Sequence, residues 1–425
     1  MSLPVLRGIC ARAPRYLRTS VRERATKVGK NGEKKRTMHH LILRLAALLL
    51  ILRPQIKTIK TNMWFILIAL VIYLGANGWV YYNGHVALQG CPMAVRMAFG
   101  VVFWAVALSF IGFMALRGRH LTPLMGHWVY FVSNGWLVAL LYLTLLLAVG
   151  QLPRLFGVHV PHLFGVCVGL TALLLAYGYW HYRHPAVRTL QVDIDKPVDG
   201  PKQLRAVAIS DVHLGYGNNR RVLEDYVRMI NEARPDVVLI AGDLIDMSLK
   251  PLWQERMQDV LREVQAPLGI YMVPGNHEFI SGIRATEEFI GRTPIRLLRD
   301  SIVTLPGGVQ VVGRDDRSNR RRLRADDLIG RADASRPILV LDHQPYDDQL
   351  EQIAAGGADF TLCGHTHAGQ VWPLSLVTGA IYRQDHGYGR WGRTQVYVSS
   401  GLGLWGPPFR IGTDSELVVI DFRFR

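Results

Sequence analysis

Hydrophobic positions divide the chain into two regions with different patterns. The first region contains four long apolar runs, and residues 63–184 contain no Asp, Glu or Lys. A helix needs about 20 apolar residues to cross the hydrocarbon core of a bilayer, so these runs predict four transmembrane helices. The runs lie at residues 63–82, 97–116, 129–149 and 163–180.

Beyond the membrane region the apolar runs become short and rich in β-branched residues, as is typical of an α/β domain. Helical periodicity at 220–233 and 251–265 separates the first three of these runs. We therefore predict a membrane region over 63–184, a linker over 185–202 and an α/β domain over 203–425. The predicted strands lie at 205–210, 236–241, 269–273, 309–313, 337–341, 358–362, 395–399 and 416–421.

The formal net charge of +16 is concentrated in the amino-terminal arm. Residues 1–62 carry 15 Lys and Arg against 2 Asp and Glu, a net charge of +13, so the rest of the chain carries only +3. We predict a disordered arm that contacts anionic lipid headgroups; a translation start at Met38 or Met63 is the alternative. The run at 41–52 is too short to span a membrane and predicts an interfacial helix. The body has no long basic and aromatic stripe, so no nucleic-acid partner is expected.

Arginines in the short loops predict how the chain is oriented in the membrane. Arg117 and Arg119 lie in the second loop, and Arg183 and Arg188 follow the fourth helix, whereas the first and third loops each contain a single arginine. Basic loops face the cytoplasm. The pattern therefore predicts a multi-pass inner-membrane protein whose carboxy-terminal domain is cytoplasmic.

Five predicted strands are followed by side chains of the types that commonly act as metal ligands. Ligand sites form at the carboxyl ends of strands in open α/β sheets, so these side chains are expected to meet. Their mixture of carboxylate, imidazole and amide suits Mn²⁺, Fe²⁺ or Zn²⁺, and the four scattered cysteines form neither a disulfide framework nor a thiolate zinc motif. The side chains are Asp211 and His213 in SDVHLG, Asp243 and Asp246 in AGDLID, Asn276, His277 and Glu278 in PGNHEF, Asp342 and His343 in LDHQP, and His365 and His367 in CGHTHAG.

These five blocks, in this order, resemble the calcineurin-like metallophosphoesterase superfamily. The closer resemblance is to a branch that carries a membrane anchor before the catalytic domain. It covers about 203–425 and includes the ending YVSSGLGLWGPPFRIGTDSELVVIDF. The resemblance implies two packed β-sheets flanked by helices. One departure is Met247, which follows Asp246 where the family often has Gly or Arg, so a phosphate-gripping arginine is missing at that position.

The resemblance also implies the roles of individual residues. Two divalent metals would be held side by side, and His277 would contact the scissile phosphate and protonate the leaving oxygen. Asp246 and Asp342 would orient imidazoles; a role as simple turn caps is the alternative. The implied ligands are Asp211, His213 and His367 for one metal, Asn276, His343 and His365 for the other, and Asp243 as the bridge between them.

The implied activity is metal-dependent hydrolysis of a phosphoester by a hydroxide generated between two metals. Phosphodiesters, pyrophosphates and monoesters are all candidate substrates. Related anchored members act on lipid-linked phosphodiesters or pyrophosphates such as nucleotide-activated glucosamine lipids, and a membrane tether favours a lipid-linked substrate. A protein phosphatase, a nuclease and a non-enzymatic membrane sensor or scaffold remain alternatives. The basic run at 314–327 either binds an anionic substrate or lipid surface or is a solvated loop.

Overall fold

A computed structural model describes Trp64, residues 66–116 and residues 121–425. The predicted basic arm over 1–62, with its interfacial helix at 41–52, lies outside the described residues. Residues 76–425 form one compact unit.

Four long apolar helices begin the described chain. Each is long and apolar enough to cross a membrane, which confirms the four predicted candidate spans. Thr122 caps the third helix by accepting a hydrogen bond from the Met125 amide. A short 3₁₀ helix, Leu152–Phe156, extends the third helix and ends at Gly157, whose φ is 76°. The helices are α1 (Ile66–Ala87), α2 (Met93–Leu116), α3 (Pro123–Gln151) and α4 (Leu163–Tyr182).

The first sheet of the α/β domain has six strands. Its spatial order is β1 (Ala186–Ile194), β12 (Glu416–Phe424), β2 (Gln203–Ile209), β3 (Val237–Ile240), β4 (Ile270–Met272) and β5 (Ile295–Leu297). Strands β2 to β5 are parallel, so their carboxyl ends share one edge of the sheet. Strand β12 is antiparallel to β2 and parallel to β1.

The second sheet also has six strands. Its spatial order is β10 (Gly387–Trp391), β11 (Thr394–Val398), β9 (Phe360–Cys363), β8 (Ile338–Leu341), β7 (Gln310–Gly313) and β6 (Ser301–Thr304). The four central strands are parallel, and both edge strands are antiparallel to their neighbours. All eight predicted strands are therefore present, together with four short or edge strands that the apolar runs did not predict.

The two sheets pack face to face, and helices cover their outer faces. Side chains alternate along β2: Ala206 and Ala208 face the core between the sheets, whereas Val207 and Ile209 face the helices. This alternation is the period of two that a buried strand requires. The helices are α5 (Arg220–Glu232), α6 (Lys250–Gln254), α7 (Met257–Leu261), α8 (Asn276–Ser281), α9 (Ile283–Ile290), α10 (Ala325–Ile329), α11 (Asp347–Ala355) and α12 (Leu374–Ile381).

The structure differs from the predicted linker over 185–202 and from the predicted helix over 251–265. The predicted linker over 185–202 contains strand β1, which pairs in parallel with β12 along nine residues. Its side chains are mostly exposed because it is an edge strand, so its apolar signal is weak. The predicted helix over 251–265 is divided into α6 and α7. The helix breaks because Arg256 adopts the left-handed region, and Arg220 Nη1 donates to the Glu255 carbonyl at 2.9 Å, which satisfies that carbonyl outside a helix.

Candidate metal centre

The five sequence blocks converge at the shared edge where parallel strands of both sheets end. Strands β2 and β3 lead into the first two blocks, and β8 and β9 lead into the last two. Five residues of these blocks have left-handed backbone, which is costly for residues other than glycine and concentrates at functional sites. They are Asp211 (φ 53°), His213 (48°), Asp243 (53°), His365 (77°) and His367 (51°).

Two glycines allow the blocks to approach one another closely. A Cβ on Gly364 would lie 2.3 Å from Asp211 Oδ2, and a Cβ on Gly275 would lie 2.2 Å from Asp243 Oδ1. Real Cβ atoms do not come that close to an oxygen. The glycines are therefore required by packing of backbone against carboxylates, rather than by their own φ angles.

The first group of facing side chains contains Asp211, His213 and His367. The Nε2 atoms of His213 and His367 are 3.1 Å apart. Asp211 Oδ1 lies 3.5 Å from His367 Nε2 and 3.8 Å from His213 Nε2. All three residues are buried, and their donor atoms are close enough to hold one metal ion.

The second group contains Asp243, His343 and His365, with Asn276 beside them. His343 Nε2 lies 3.2 Å from Asn276 Oδ1 and 3.3 Å from His365 Nδ1. The other ring nitrogen of His343 donates to the Ala241 carbonyl at 2.8 Å. Because Nδ1 donates to this carbonyl, Nε2 is the nitrogen that faces the group.

Asp243 lies between the two groups. Its Oδ2 is 3.1 Å from His343 Nε2 and 3.7 Å from His213 Nε2. Its Oδ1 accepts a hydrogen bond from the His277 amide at 2.8 Å. One carboxylate oxygen thus faces both groups, while the other is fixed by the backbone.

Burial sets the charge of several imidazoles. It lowers the pKa of His365 to about 4, with help from the neighbouring His343, and it lowers the pKa of His367 well below its usual value. Both rings are therefore neutral at neutral pH and have a lone pair available for a metal. Burial also lowers the pKa of His343, but the charge of Asp243 and its hydrogen bond to the ring outweigh this effect and raise that pKa.

His277 has different surroundings. Its Nδ1 lies 3.0 Å from the Asp246 carbonyl oxygen and 3.4 Å from Asp246 Oδ1, so this nitrogen donates to Asp246. The ring packs edge-on against His213 and lies 5.9 Å from the ring of Trp405, measured between centroids. Burial lowers the pKa of His277, but the hydrogen bond to Asp246 and the charges of Asp243 and Asp246 raise it to about 9. The ring is therefore protonated at neutral pH.

Asp246 supports two imidazoles from behind. Its Oδ1 lies 3.8 Å from His213 Nδ1, on the side of that ring opposite to the facing nitrogens, and 3.4 Å from His277 Nδ1. Its Oδ2 accepts a hydrogen bond from the hydroxyl of Tyr130 on α3, at 3.3 Å. The contacts fit a carboxylate that orients imidazoles, with a helix of the apolar region as its second partner.

Asp342 has other partners than the imidazole expected from the sequence. It forms a buried ion pair with Arg314 and lies 3.6 Å from Arg322 Nη1. The first arginine of the basic run at 314–327 is thus a structural residue, because only 1% of its surface is exposed. Arg317 of the same run is exposed and stacks over the Tyr346 ring at 4.1 Å.

Two charged residues hold the site together in ways that sequence reasoning missed: Glu278, which the sequence placed among the metal-binding side chains, and Arg410, which it did not single out. The buried Glu278 carboxylate accepts from the amides of Asp243, Gly275 and Ile245 at 2.9, 2.7 and 3.0 Å. Burial and the charge of Asp243 raise its pKa to about 7, against the lowering effect of the backbone donors. Its signal was a Glu three residues into a helix, as in a capping box, but Gly275 stands where a Ser or Thr marks that motif.

Arg410 is the second missed residue. It is fully buried and donates from Nη1 to the His367 carbonyl at 2.6 Å. Its Nε donates to Ser415 Oγ at 3.2 Å, and burial lowers its pKa to about 10. It fixes the backbone of the block that contains His365 and His367, and no local pattern distinguishes it from a surface arginine.

The chain is similar to several known proteins. The sequence profile of calcineurin-like phosphoesterases matches residues 204–369. A metallophosphoesterase of Helicobacter pylori is 32% identical over 263 residues, which cover 60% of this chain and 69% of that protein. A transmembrane protein with metallophosphoesterase domain from Danio rerio is 29% identical over 272 residues, which cover 59% of this chain and 60% of that protein. The solved structure of the calcineurin-like phosphoesterase YfkN from Bacillus subtilis is 16% identical, with a TM-score of 0.32 over 51% of this chain and 90% of that chain.

Two packed sheets with His and Asp clusters at their shared edge define a metal-dependent phosphoesterase. The chain belongs to the calcineurin-like metallophosphoesterase family, as the sequence blocks predicted. It is a phosphoester hydrolase, and its cofactor is a pair of divalent metal ions whose identity the donor atoms leave open. The four apolar helices and the transmembrane relative from Danio rerio associate it with a membrane.

Proposed function

We propose that this protein hydrolyses a lipid-linked phosphoester at the cytoplasmic face of the inner membrane. The observation that carries the proposal is the hydrogen bond from Tyr130, on a candidate membrane helix, to Asp246, which contacts both His213 and His277. The catalytic groups and the apolar helices therefore share one hydrogen-bonded structure. This arrangement supports a substrate that lies in the membrane.

The length of α2 gives the depth of the site. Phe113, Tyr130 and Tyr216 pack together in one cluster. Phe113 lies twenty residues from Met93, the start of α2, which corresponds to about 30 Å of helix. The hydrocarbon core is about 30 Å thick. This match supports a position of the cluster, and with it of the Tyr130 to Asp246 hydrogen bond, at the depth of lipid headgroups, where the phosphate of a lipid-linked ester would lie.

The donor set fits a pair of divalent metals. We assign Asp211, His213 and His367 to one metal, Asn276, His343 and His365 to the other, and Asp243 to both. Facing imidazole nitrogens such as those of His213 and His367, 3.1 Å apart, are stable only with a cation or a proton between them. When bound, such metals act as Lewis acids that activate water and neutralise the charge of the phosphoryl oxygens.

His277 is the proposed proton donor. Its Nδ1 is held by Asp246, so Nε2 is the nitrogen proposed to reach a substrate, and in the metal-free protein its pKa of about 9 leaves the ring protonated at neutral pH. General acids of this kind donate a proton to the leaving oxygen as the ester bond breaks. The same proton stabilises negative charge on the phosphoryl group. Arg317 stacks over Tyr346, whose ring lies 6.4 Å from the His365 ring, and supplies positive charge on that side of the site.

The basic loops support the proposed orientation in the membrane. Arg117 and Arg119 lie between α2 and α3, and the next segment contacts the catalytic domain: Lys250 Nζ donates to the Leu121 carbonyl at 3.0 Å. The loop and the catalytic domain are therefore on the same side of the membrane. Loops with several arginines face the cytoplasm, which supports a cytoplasmic catalytic domain.

Turnover by the purified full chain tests the proposed function. We expect Mn²⁺, Fe²⁺ or Zn²⁺ to support hydrolysis of nucleotide-lipid pyrophosphates or phospholipid esters in mixed micelles at rates well above those for phosphopeptides and nucleic acids. A preference for phosphopeptides would favour the protein phosphatase, and a preference for nucleic acid would favour the nuclease. Absence of turnover on all four substrate classes with metal bound would favour a non-enzymatic sensor or scaffold. A reporter fused after Arg425 that is active only outside the cytoplasm should stay inactive.

A further inference from the structure

Helix α12 presents an apolar surface beside the metal centre. The segment 371–382, VWPLSLVTGAIY, contains no charged residue. Its large side chains point outward instead of into the domain, and none of the residues of α12 is buried. The exposed fractions are 52% for Trp372, 44% for Leu374, 66% for Leu376, 52% for Val377 and 62% for Ile381. An apolar patch of this kind on a water-facing surface marks a contact site.

The start of α12 is attached to the candidate membrane helices. The Tyr142 hydroxyl on α3 donates to the Trp372 carbonyl at 2.7 Å. Val371 is buried in a cluster with Val138 and Tyr142 of α3 and with Phe409 and Ile411 of the catalytic domain. The apolar surface of α12 is therefore continuous with the surface of α3.

Helix geometry gives the depth of this attachment. Tyr142 lies ten residues before Leu152, which is about 15 Å of helix. On α4, Gly178 accepts a hydrogen bond from the Arg410 amide, and it lies fifteen residues, or about 22 Å, from Leu163. The connection that contains Arg154 joins α3 and α4 at the far surface of the membrane. Both distances are shorter than the hydrocarbon core, which is about 30 Å thick, and any tilt of the helices shortens the depths further.

We propose that α12 inserts into the hydrocarbon layer of the leaflet on the side of the catalytic domain. Its occupant is lipid, because the attachment points at Tyr142 and Gly178 lie within the span of α3 and α4, and the side chains that face outward at that depth are apolar. Buried apolar area is what holds an interfacial helix in a membrane. Within the described part of the chain, α12 would then join the four candidate spanning helices as a helix of the catalytic domain that enters a single leaflet.

The inserted helix directly follows the last metal-ligand block. Leu374 is seven residues after His367, and a Cβ on Gly369 would lie 2.3 Å from the Ser375 amide, so α12 packs on the block itself. At its other end, the Tyr382 ring lies 6.4 Å from the ring of His365. The acyl chains of a substrate can lie along α12 while its phosphate reaches the metals. This last consequence rests on the proposed function; insertion of α12 does not.

Site-directed spin labelling tests the insertion without measuring activity. A nitroxide is attached to Leu376→Cys in lipid nanodiscs, in a chain whose Cys10 and Cys91 are replaced by serine; Cys167 and Cys363 are buried. We expect strong relaxation by oxygen and exclusion of a water-soluble nickel chelate. The matched control is Arg393→Cys, in the exposed turn that precedes β11, at the edge of the sheet opposite to the metals. This label should show the reverse.

Two results would overturn the insertion. If the nickel chelate relaxes the label at residue 376 as strongly as the label at residue 393, α12 lies in water. If residue 376 is shielded from both oxygen and nickel, a second copy or another protein covers it instead of lipid. The double variant Leu376→Asp, Val377→Asp gives an independent measure. We expect the ratio of kcat/KM for a hexadecyl nitrophenyl phosphodiester in vesicles to that for bis(nitrophenyl) phosphate in water to fall by about tenfold or more. An unchanged ratio would contradict the placement of acyl chains along α12, whereas insertion itself is decided by the spin labels.

Discussion

The hydroxyl of Tyr130 donates a hydrogen bond to Asp246 Oδ2 at 3.3 Å, across 116 positions of the chain. The same hydroxyl accepts a hydrogen bond from the Gly406 amide at 2.9 Å. Tyr130 lies on α3, and Asp246 contacts His213 and His277. A candidate membrane helix therefore fixes the carboxylate that orients two imidazoles of the metal centre.

Removing the Tyr130 hydroxyl should lower catalysis without removing metal. In Tyr130→Phe, Asp246 loses a hydrogen-bond donor and orients His277 less well. We expect kcat to fall by about tenfold, which corresponds to about 1.4 kcal/mol and matches the value of a hydrogen bond to a charged group. KM for a small soluble ester and the metal content should change little, because the Tyr130 hydroxyl bonds to Asp246 and the Gly406 amide and to none of the proposed metal ligands. Steady-state kinetics and metal analysis of the full chain provide the measurement.

The control for Tyr130 is Tyr179→Phe. It removes the hydroxyl of an exposed tyrosine on α4 and leaves Asp246 untouched. Equal losses of kcat in the two variants would show that the effect comes from general loosening of the apolar helices. A Tyr130→Phe protein that loses metal would instead make the tyrosine a support of the metal site as a whole.

The position of Asp243 predicts how metals are lost. In Asp243→Asn, the amide oxygen can still accept from the His277 amide, but the negative charge between the two proposed metals disappears. We expect both metals to bind more than tenfold more weakly, as even the loss of an outer hydrogen-bond partner weakens metal binding by about 10- to 100-fold. His365→Ala should lose one metal and keep the other. Metal content after gel filtration measures both.

A different stoichiometry would contradict the bridging assignment. If Asp243→Asn loses a single metal while His365→Ala loses two, the roles of these residues must be exchanged. Adding a chelator to the unmodified protein provides the reference, because a bound ion at 100 times its Kd stabilises the fold by about 2.7 kcal/mol. The chelator should therefore lower the Tm of the unmodified protein more than that of Asp243→Asn.

Glu278→Gln should destabilise the fold. The carboxylate accepts three backbone hydrogen bonds, from Asp243 and Gly275 at Oε2 and from Ile245 at Oε1. A glutamine has one amide oxygen, which can accept on one side only, and its nitrogen cannot accept the bonds on the other side. Each buried donor left without an acceptor costs about 1–3 kcal/mol. We expect a lower free energy of unfolding in the metal-free protein, measured by thermal unfolding. Glu288→Gln, at an exposed position of α9, is the matched control. Equal Tm values in the two variants would contradict the prediction.

The sequence predicted the parts of this protein whose signals are local. An uncharged apolar run of about 20 residues is rarely anything but a membrane helix. Short apolar runs such as 237–240 and 338–341 are buried on both faces, so their strand signal is strong. The motif blocks follow these strands directly. Their convergence was predictable because parallel strands end at one edge.

The parts that sequence reasoning missed depend on distant contacts. Strand β1 is an edge strand, so its exposed residues give no apolar alternation, and its pairing with β12 joins positions more than 200 residues apart. Arg410 resembles any surface arginine until the fold buries it against the His367 carbonyl. Tyr130 lies in an apolar helix whose sequence gives no reason to expect Asp246 beside it. Asp342 was expected beside an imidazole, and only the fold brings Arg314 to it.

Replacing the neighbouring residues Asn276 and His277 should change metal binding in different ways. Asn276 offers a neutral oxygen 3.2 Å from His343 Nε2, so Asn276→Ala should weaken binding of one metal. The His277 ring is held by Asp246 on one nitrogen, and its other nitrogen faces the site, so His277→Ala should keep both metals and the fold. Metal analysis of the two variants measures this difference. A simple turn role for both residues would predict the same outcome for each.

Kinetics of His277→Ala with two esters test its role as a proton donor. General acid catalysis contributes about 10²–10⁴ in rate, so we expect a loss of that size for an ester with an alkoxide leaving group. A nitrophenolate leaves without much protonation, so hydrolysis of its ester should slow far less. If His277→Ala strips a metal, the residue is a ligand, and the assignment is wrong. If both esters slow equally while the metals stay bound, His277 binds the phosphate and does not protonate the leaving oxygen, because only proton donation depends on the basicity of the leaving group.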